Sequence, residues 1–240
     1  MDFSVIIPAH NEDKYIGKCL QSIRVAEKHI QPASLEIIVV CNRCTDSTAL
    51  ISEQYGARVL VNDEKNLSAI RNTGIRAAKG EIIVTIDADS IMTEFALLEI
   101  RQTLESGKYI GGGAKPRFER MSVGIFFSAV YVALNLIPTM IRNRAALSGA
   151  MFWFYIKDFV GFGERLVSLE DMDFAVRMHR VGQDRGQRFG TLKKSYIVTS
   201  SRKFDEFGDW YLIRNRKLTK RIFTGADVDA ANAFYYDVRE

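Results

Sequence analysis

Four short apolar runs, each joined to the next by a stretch of helical periodicity, constrain this chain more than any other feature. Ser4–Pro8, Leu35–Cys41, Arg58–Val61 and Glu81–Ile86 are rich in Val and Ile. Between them, Lys14–Lys28 carries Ile16, Leu20, Ile23 and Ala26 at helical spacing. Asp46–Tyr55, with Thr45 as candidate N-cap, and Ser68–Ala78, stopped by Lys79-Gly80, read as two more helices. A strand that is apolar at every position is buried on both faces, and helical crossovers supply the covering layers. The pattern therefore predicts a mostly parallel central sheet flanked by helices, an α/β fold. Such sheets take ligands beyond the carboxyl ends of their strands. The residues that follow the strands there are polar: Ala9-His10-Asn11-Glu12, Asn42-Arg43-Cys44-Thr45-Asp46 and Asp87-Ala88-Asp89.

Past residue 95 the alternation loosens. Phe95–Ser106 reads as a helix, Lys108–Ala114 as a strand with a Gly-rich tail, Ser168–Arg180 as a helix and Tyr196–Ser201 as a short strand. Ala146–Tyr155 is a segment of small and aromatic residues. Without repeats or a flexible linker, residues 1–240 read as one domain, with a nucleotide-facing half (1–95) and a less regular half (96–240). A chain with 47% apolar and 26% charged residues buries a core and is not disordered. Its 3 cysteines form no disulfide framework, which with the lack of a basic, cleavable leader points to the cytoplasm.

Charge is distributed unevenly. Residues 177–221 hold 13 Lys+Arg against 4 Asp+Glu, a net of +9 in a chain of net +4, so the remainder is near −5. Such a segment suits phosphate or anionic lipid. No groove-binding motif accompanies it, so nucleic acid is not expected. Ser122–Ile141 carries no charge and is long enough to nominate a membrane span. The arginines at both ends (Arg117, Arg120, Arg142, Arg144) give no orientation signal, Asn135 and Pro138 weaken a span further, and the segment reads as a buried, interfacial or oligomer-contact helix.

Three groups of residues carry chemistry. Alternation along an extended chain would point Asp87 and Asp89 the same way, and two adjacent carboxylates call for a cation. Hard divalent ions take such oxygens and bridge them to phosphates. The same tripeptide is also good turn chemistry, and its place at the ligand edge favours the metal. Glu170-Asp171-x-Asp173 opens a helix, where the dipole stabilises an ionised base. Ser168–Asp171 fits a capping box equally well, and Asp173 stands one turn from Arg177. Arg71 presents a planar fork suited to phosphate. Cys41-x-x-Cys44 lacks a second pair for zinc, and neither a Walker loop nor G-x-G-x-x-G occurs.

Taken in order, these segments resemble the inverting nucleotide-sugar transferases of glycosyltransferase family 2, with the GT-A fold. The resemblance runs from Val5 to about Phe204. Val5–Glu12 is similar to the opening nucleotide loop, Ile70-Arg71-Asn72-Thr73-Gly74 to the family's Ala-Arg-Asn-x-Gly stretch, and Asp87-Ala88-Asp89 to its metal motif. Gly149-Ala150 resembles the acceptor-side turn, and Phe162-Gly163-Glu164 with Glu170-Asp171 the base region. Two positions depart: Asn42 stands where an acid is usual, and 199–204 has no His to complete a metal shell.

The resemblance implies a hexosyl transfer from a nucleoside-diphosphate sugar to a glycan or lipid-linked acceptor, and the apolar Ser122–Ile141 helix makes a peripheral contact with the inner face of the membrane one expectation beside a purely cytoplasmic place. The resemblance also implies Asp171 as base supported by Glu170. It implies Mn²⁺ or Mg²⁺ on Asp89 and Asp87, and donor contacts from Pro8, Ala9, His10, Asn11, Glu12, Asn42, Asp46, Arg71, Asp87, Ala88 and Arg202. The competing reading is a non-catalytic nucleotide-sugar sensor or scaffold. A sugar nucleotidyltransferase would need a Gly-rich loop where Pro8–Glu12 stands.

Overall fold

A computed structural model describes residues 1–143, 150–164 and 170–223. In chain order its elements are β1 (Phe3–Ala9), α1 (Ile16–Glu27), β2 (Leu35–Cys41), α2 (Thr48–Gln54), β3 (Arg58–Val61), α3 (Leu67–Arg76), β4 (Ile82–Ile86), β5 (Ser90–Met92), α4 (Ala96–Glu105), β6 (Tyr109–Phe118), α5 (Val123–Asn143), β7 (Met151–Tyr155), α6 (Glu170–Gln183), β8 (Arg188–Thr199), α7 (Arg202–Phe207), α8 (Tyr211–Arg214) and α9 (Arg216–Phe223). The strands form one sheet in the order β3-β2-β1-β4-β7-β6-β8-β5. β1 pairs in parallel with β2 and β4, β2 with β3, and β6 with β8. β7 and β5 run antiparallel to their neighbours.

Every residue of β1 is buried, and alternate side chains feed two different cores. Phe3, Val5 and Ile7 pack with Ile16, Leu20 and Ile23 of α1 and Leu97 and Ile100 of α4. Ile6 points the other way, joining Ile70 and Ile75 of α3 and Phe174 and Met178 of α6. This is the three-layer arrangement that the continuous apolar strands predict. α3 lies close on β1 because it presents Gly74: a Cβ there would stand 2.4 Å from Ile6 Cγ2. β6 and β8 approach as closely, since a Cβ on Gly112 would lie 2.3 Å from the Gly190 carbonyl oxygen.

The second half differs from the sequence reading. β8 spans twelve residues and stops at Thr199, so the expected Tyr196–Ser201 strand overlaps only its last four residues. Its Lys193-Lys194 interior has no apolar signature. The register against β6 jumps from Gly113↔Thr191 to Lys115↔Tyr196, leaving a bulge. The Glu99 carboxylate fills it, accepting the backbone N–H groups of Lys193, Lys194 and Ser195 at 2.7–3.1 Å. β6 likewise runs past Ala114 to Phe118, and β7 emerges from the 146–155 segment at Met151. Helix α2 begins at Thr48 rather than Asp46: Ser47 occupies the cap position instead of Thr45, and Asp46 Oδ1 accepts the Thr48 N–H. Among the described residues, no helix is long and apolar enough to cross a membrane. The Ser168 capping box and Gly149 lie outside the described residues.

Candidate active site

The loops that leave β1 and β2 build one another. Asn42 N–H donates to the Ala9 carbonyl, and His10 Nδ1 donates to the Asn42 carbonyl at 2.6 Å. Asn11 Oδ1 accepts the Thr45 N–H, the Glu12 N–H reaches Thr48 Oγ1, and the Asp13 N–H reaches Asp46 Oδ2. Asn11 (φ 50°) and Arg43 (φ 48°) both sit in the left-handed region, a conformation that the opposite loop holds in place. Asp46 thus spends both oxygens on backbone. Burial works against its charge, and the bonds from Thr48 and Asp13 outweigh it, holding the carboxyl below its usual range. The Asn42 amide donates to the Asn62 and Glu64 carbonyls, so it fixes the chain after β3, while its buried Oδ1 has no hydrogen-bond partner among the described residues. Pro8 and Ala9 are buried strand residues of β1.

The Asp87-Ala88-Asp89 segment follows β4 as a turn, closed by the Ser90 N–H on the Asp87 carbonyl. It is not extended, so strand alternation does not govern its side chains. Ala88 is buried against the core, and the flanking carboxylates engage different arginines. Arg71 Nη2 donates to Asp87 at 2.9 Å, while its Nη1 donates to Asp171 at 2.6 Å and stands 3.7 Å from Glu170. Arg202 holds Glu12 through both terminal nitrogens, at 2.7 and 2.8 Å, and lies 3.0 Å from Asp89. Tyr15, which the sequence does not single out, lies under the Arg202 guanidinium at 5.1 Å. Two guanidiniums therefore draw together the ends of β1 and β4, the start of α6 and the start of α7.

Burial dominates the electrostatics. It raises the Asp171 carboxyl well above the carboxylate range, with Glu170 and Asp87 adding to the rise and Arg71 opposing it. Burial raises Glu170 as well, again against Arg71. For Arg71 the same burial disfavours charge, but Asp171, Asp87 and Glu170 outweigh it and hold the guanidinium charged. Around this pair of cations stand five carboxylates: Glu12, Asp87, Asp89, Glu170 and Asp171. Among the described residues no three acidic, His or Cys side chains converge into a cage.

The turn before α6 is tied to α3. Asn72 accepts the Phe162 N–H and donates to the Phe162 carbonyl and Glu164 Oε1, and Asn66 Nδ2 donates to the Glu164 carbonyl. Arg177 pairs with Asp173 at 2.7 Å and also donates to the Val160 and Gly161 carbonyls. The i,i+4 pair expected from the sequence is thus present, and it also clamps the turn. Asn66, as N-cap of α3, is the signal that the sequence offered for this contact: its Oδ1 accepts the Ala69 N–H and its amide is left to face outward.

Comparison with known proteins bears on the fold and the family. Poly(ribitol-phosphate) beta-N-acetylglucosaminyltransferase TarS of Staphylococcus aureus is 24% identical over 230 residues, 88% of this chain and 38% of its own length. The glycosyltransferase AglE of Haloferax volcanii is 37% identical over 92 residues, 36% of this chain and 30% of its own. The chain thus spans well under half of either relative. A crystal structure of S. aureus TarS 1-349 in complex with UDP superposes with a TM-score of 0.63 at 19% identity, over 99% of this chain and 70% of that one. Glucosyl-3-phosphoglycerate synthase from Mycobacterium tuberculosis, in complex with Mn²⁺, UDP and glucosyl-3-phosphoglycerate, superposes at 0.57 with 18% identity, over 91% and 79%. The fold is that of these GT-A proteins. Residues 4–145 match the sequence profile described as glycosyl transferase family 2, and on that match the chain belongs to this family.

Proposed function

We propose that this chain transfers a sugar from a nucleoside-diphosphate sugar to an acceptor hydroxyl, with inversion at the anomeric carbon. The observation that carries the reading is the Arg71 bridge, which brings the carboxylate after β4 and the carboxylate opening α6 to one guanidinium. UDP is the favoured nucleotide because structures of two fold neighbours are UDP complexes. Residues 1–95 take the donor: the Pro8–Glu12 loop and Asp46 shape its cleft, and Asn42 offers the unpartnered Oδ1. Residues 96–240 supply the base and the acceptor side.

Asp171 is the proposed base. Burial makes it a stronger base than an exposed carboxylate, while Arg71 opposes that rise and aims the carboxyl. General bases poised this way contribute typically 10²–10⁴-fold. Glu170 adds negative charge beside it. The donor set also fits a divalent cation. Five carboxylates against two guanidiniums leave a formal surplus of three negative charges around Asp87 and Asp89. Mg²⁺ and Mn²⁺ commonly take one or two protein carboxylates and complete their shell with water and phosphate, so no protein cage is needed. Asp87 and Asp89 would hold the ion, and when bound it supplies Lewis acidity toward the diphosphate leaving group. Arg202 neutralises Glu12 and Asp89 beside that position.

Asp171→Asn tests the assignment. It should lower transfer by at least about a hundredfold, the contribution of a general base, and leave UDP affinity within a few-fold. Loss of UDP binding together with activity would make Asp171 a structural residue, and unchanged transfer would exclude it as base.

A further inference from the structure

Helices α5, α7, α8 and α9 form a small layer with its own core, Leu212 packed by Val132, Phe204, Phe207, Tyr211 and Leu218. One side of α5 serves that layer. Ile125 and Ser128 are buried, and Ser128 Oγ donates to the Asp209 carbonyl. The other side is apolar and, among the described residues, uncovered. Val123, Phe126, Phe127 and Leu134 are 69, 53, 50 and 62% exposed, and Val130 lies between them at the same helical spacing. Trp210 extends this stripe, stacked on Phe127 with 6.1 Å between ring centroids. The patch is firmly built. Asp209 binds Arg120 and Ser122 at the start of α5, and Arg120 also holds Asp205. An apolar stripe of this extent marks a surface that meets something.

Charge identifies the partner. Arg214 lies one turn beyond Trp210, its N–H on the Trp210 carbonyl, and Arg214, Arg216 and Lys217 are all exposed. Residues 115–143 and 202–223, which hold α5 and α7–α9, contain 11 Lys+Arg and 4 Asp+Glu. These segments are therefore +7 and the rest of the chain −3. We propose that the α5 stripe with Trp210 docks on an anionic lipid bilayer. The aromatic and aliphatic side chains enter the acyl boundary, and the Arg214–Lys217 run meets the phosphates. Exposed Trp and Phe beside Lys and Arg suit that depth. A second copy suits it less, because docking would press two layers of net +7 together.

The docking face adjoins the candidate active site. The hydroxyl of Ser201, next to Arg202, accepts the Arg120 N–H and donates to the Arg120 carbonyl, three residues before α5 begins. If the transferase reading holds, a lipid-linked acceptor would present its hydroxyl at that edge. The docking itself does not depend on that reading.

The test uses vesicles of phosphatidylcholine alone or mixed with phosphatidylglycerol, and the protein's own fluorescence. Of the two tryptophans Trp153 is fully buried, so a change in emission reports Trp210. The protein should float with phosphatidylglycerol vesicles at low salt, shift its emission to the blue, and be quenched by brominated acyl chains. Replacing Arg214, Arg216 and Lys217 together by Gln should weaken binding roughly a hundredfold, at about fivefold per cation. Phe126→Ser with Phe127→Ser should abolish quenching. Both variants should keep the wild-type melting temperature, which separates lost docking from lost folding. Absence of quenching, equal binding to neutral vesicles, or a concentration-dependent dimer that buries Trp210 without lipid would each overturn the proposal. Failure of the nucleotide to bind while flotation persists would sink the transferase reading and leave the docking standing.

Discussion

Replacing Arg71 by Met should cost stability in a way that depends on pH. The Arg71 side chain is 2% exposed, and its terminal nitrogens lie 2.6, 2.9 and 3.7 Å from Asp171, Asp87 and Glu170. Methionine fills much of the volume but leaves three clustered carboxylates without a counter-charge. Removing one partner of such a buried pair costs about 3–5 kcal/mol. At roughly 2–4 °C per kcal/mol for a chain of this size, the melting temperature should fall by about 6–20 °C at neutral pH. The sign with pH follows from the direction of the shifts. Burial already holds Asp171 and Glu170 above their ordinary range, so the folded protein binds more protons than the unfolded chain. Their contribution is then fully present below the ordinary carboxylate pKa, near 4, and is lost as pH rises through the raised folded values. Without Arg71 the rise is larger. The gap between variant and wild type should therefore be widest at neutral pH and close toward about pH 4. Calorimetric melts of wild type, Arg71→Met and Arg71→Lys across that range test it, with Lys losing less because it keeps the charge without the fork. A gap of the same size at both ends of the range, or a neutral-pH loss under about 1 kcal/mol, would refute the reasoning.

Two further outcomes follow from local geometry. Gly112→Ala should destabilise by about 1–3 kcal/mol or more, measured by urea titration, since its Cβ meets a backbone oxygen that cannot move aside. Iodoacetamide should label Cys44 before Cys41 or Cys19, with a rate rising through about pH 7, because a hydrogen bond from Cys41 lowers the Cys44 thiol to about 7 while burial pushes Cys19 up. Peptide mapping reads the order, and bound nucleotide should slow the labelling because Cys44 Sγ donates to the Ala9 carbonyl of the first loop.

The first half of the fold was legible because β1, β4 and most of β2 are buried on both faces, while β3 is a partly exposed edge strand. Ile6 and Ile7 serve different layers, so the sequence is apolar at both positions and the strand is plain. β8 was not legible, because its pairing rests on backbone bonds and on Glu99, almost a hundred residues away, capping the Lys193–Ser195 bulge. The site follows the same division. Strand ends pointed to Glu12, Asp87 and Asp89, since topology alone brings them to one edge. The partnership of Arg71 with Asp171 spans 100 residues, and that of Arg202 with Glu12 spans 190. No local pattern encodes either, although the family resemblance marked all four positions. The role of Asn66 was hidden for a different reason: its capping function is local, but the Glu164 carbonyl that it also holds is 98 residues on.

The central claim is that the edge formed by the ends of β1, β2 and β4 binds a nucleoside diphosphate with a divalent cation. Thermal unfolding with UDP, GDP and dTDP, each with Mn²⁺ and with a chelator, addresses it most directly. A ligand at a hundred times its dissociation constant stabilises by about 2.7 kcal/mol, which for this chain is a shift of roughly 5–11 °C. The account predicts that shift for UDP with Mn²⁺, reduced by the chelator and lost in Asp89→Asn. No shift with any nucleotide, with or without metal, would contradict it.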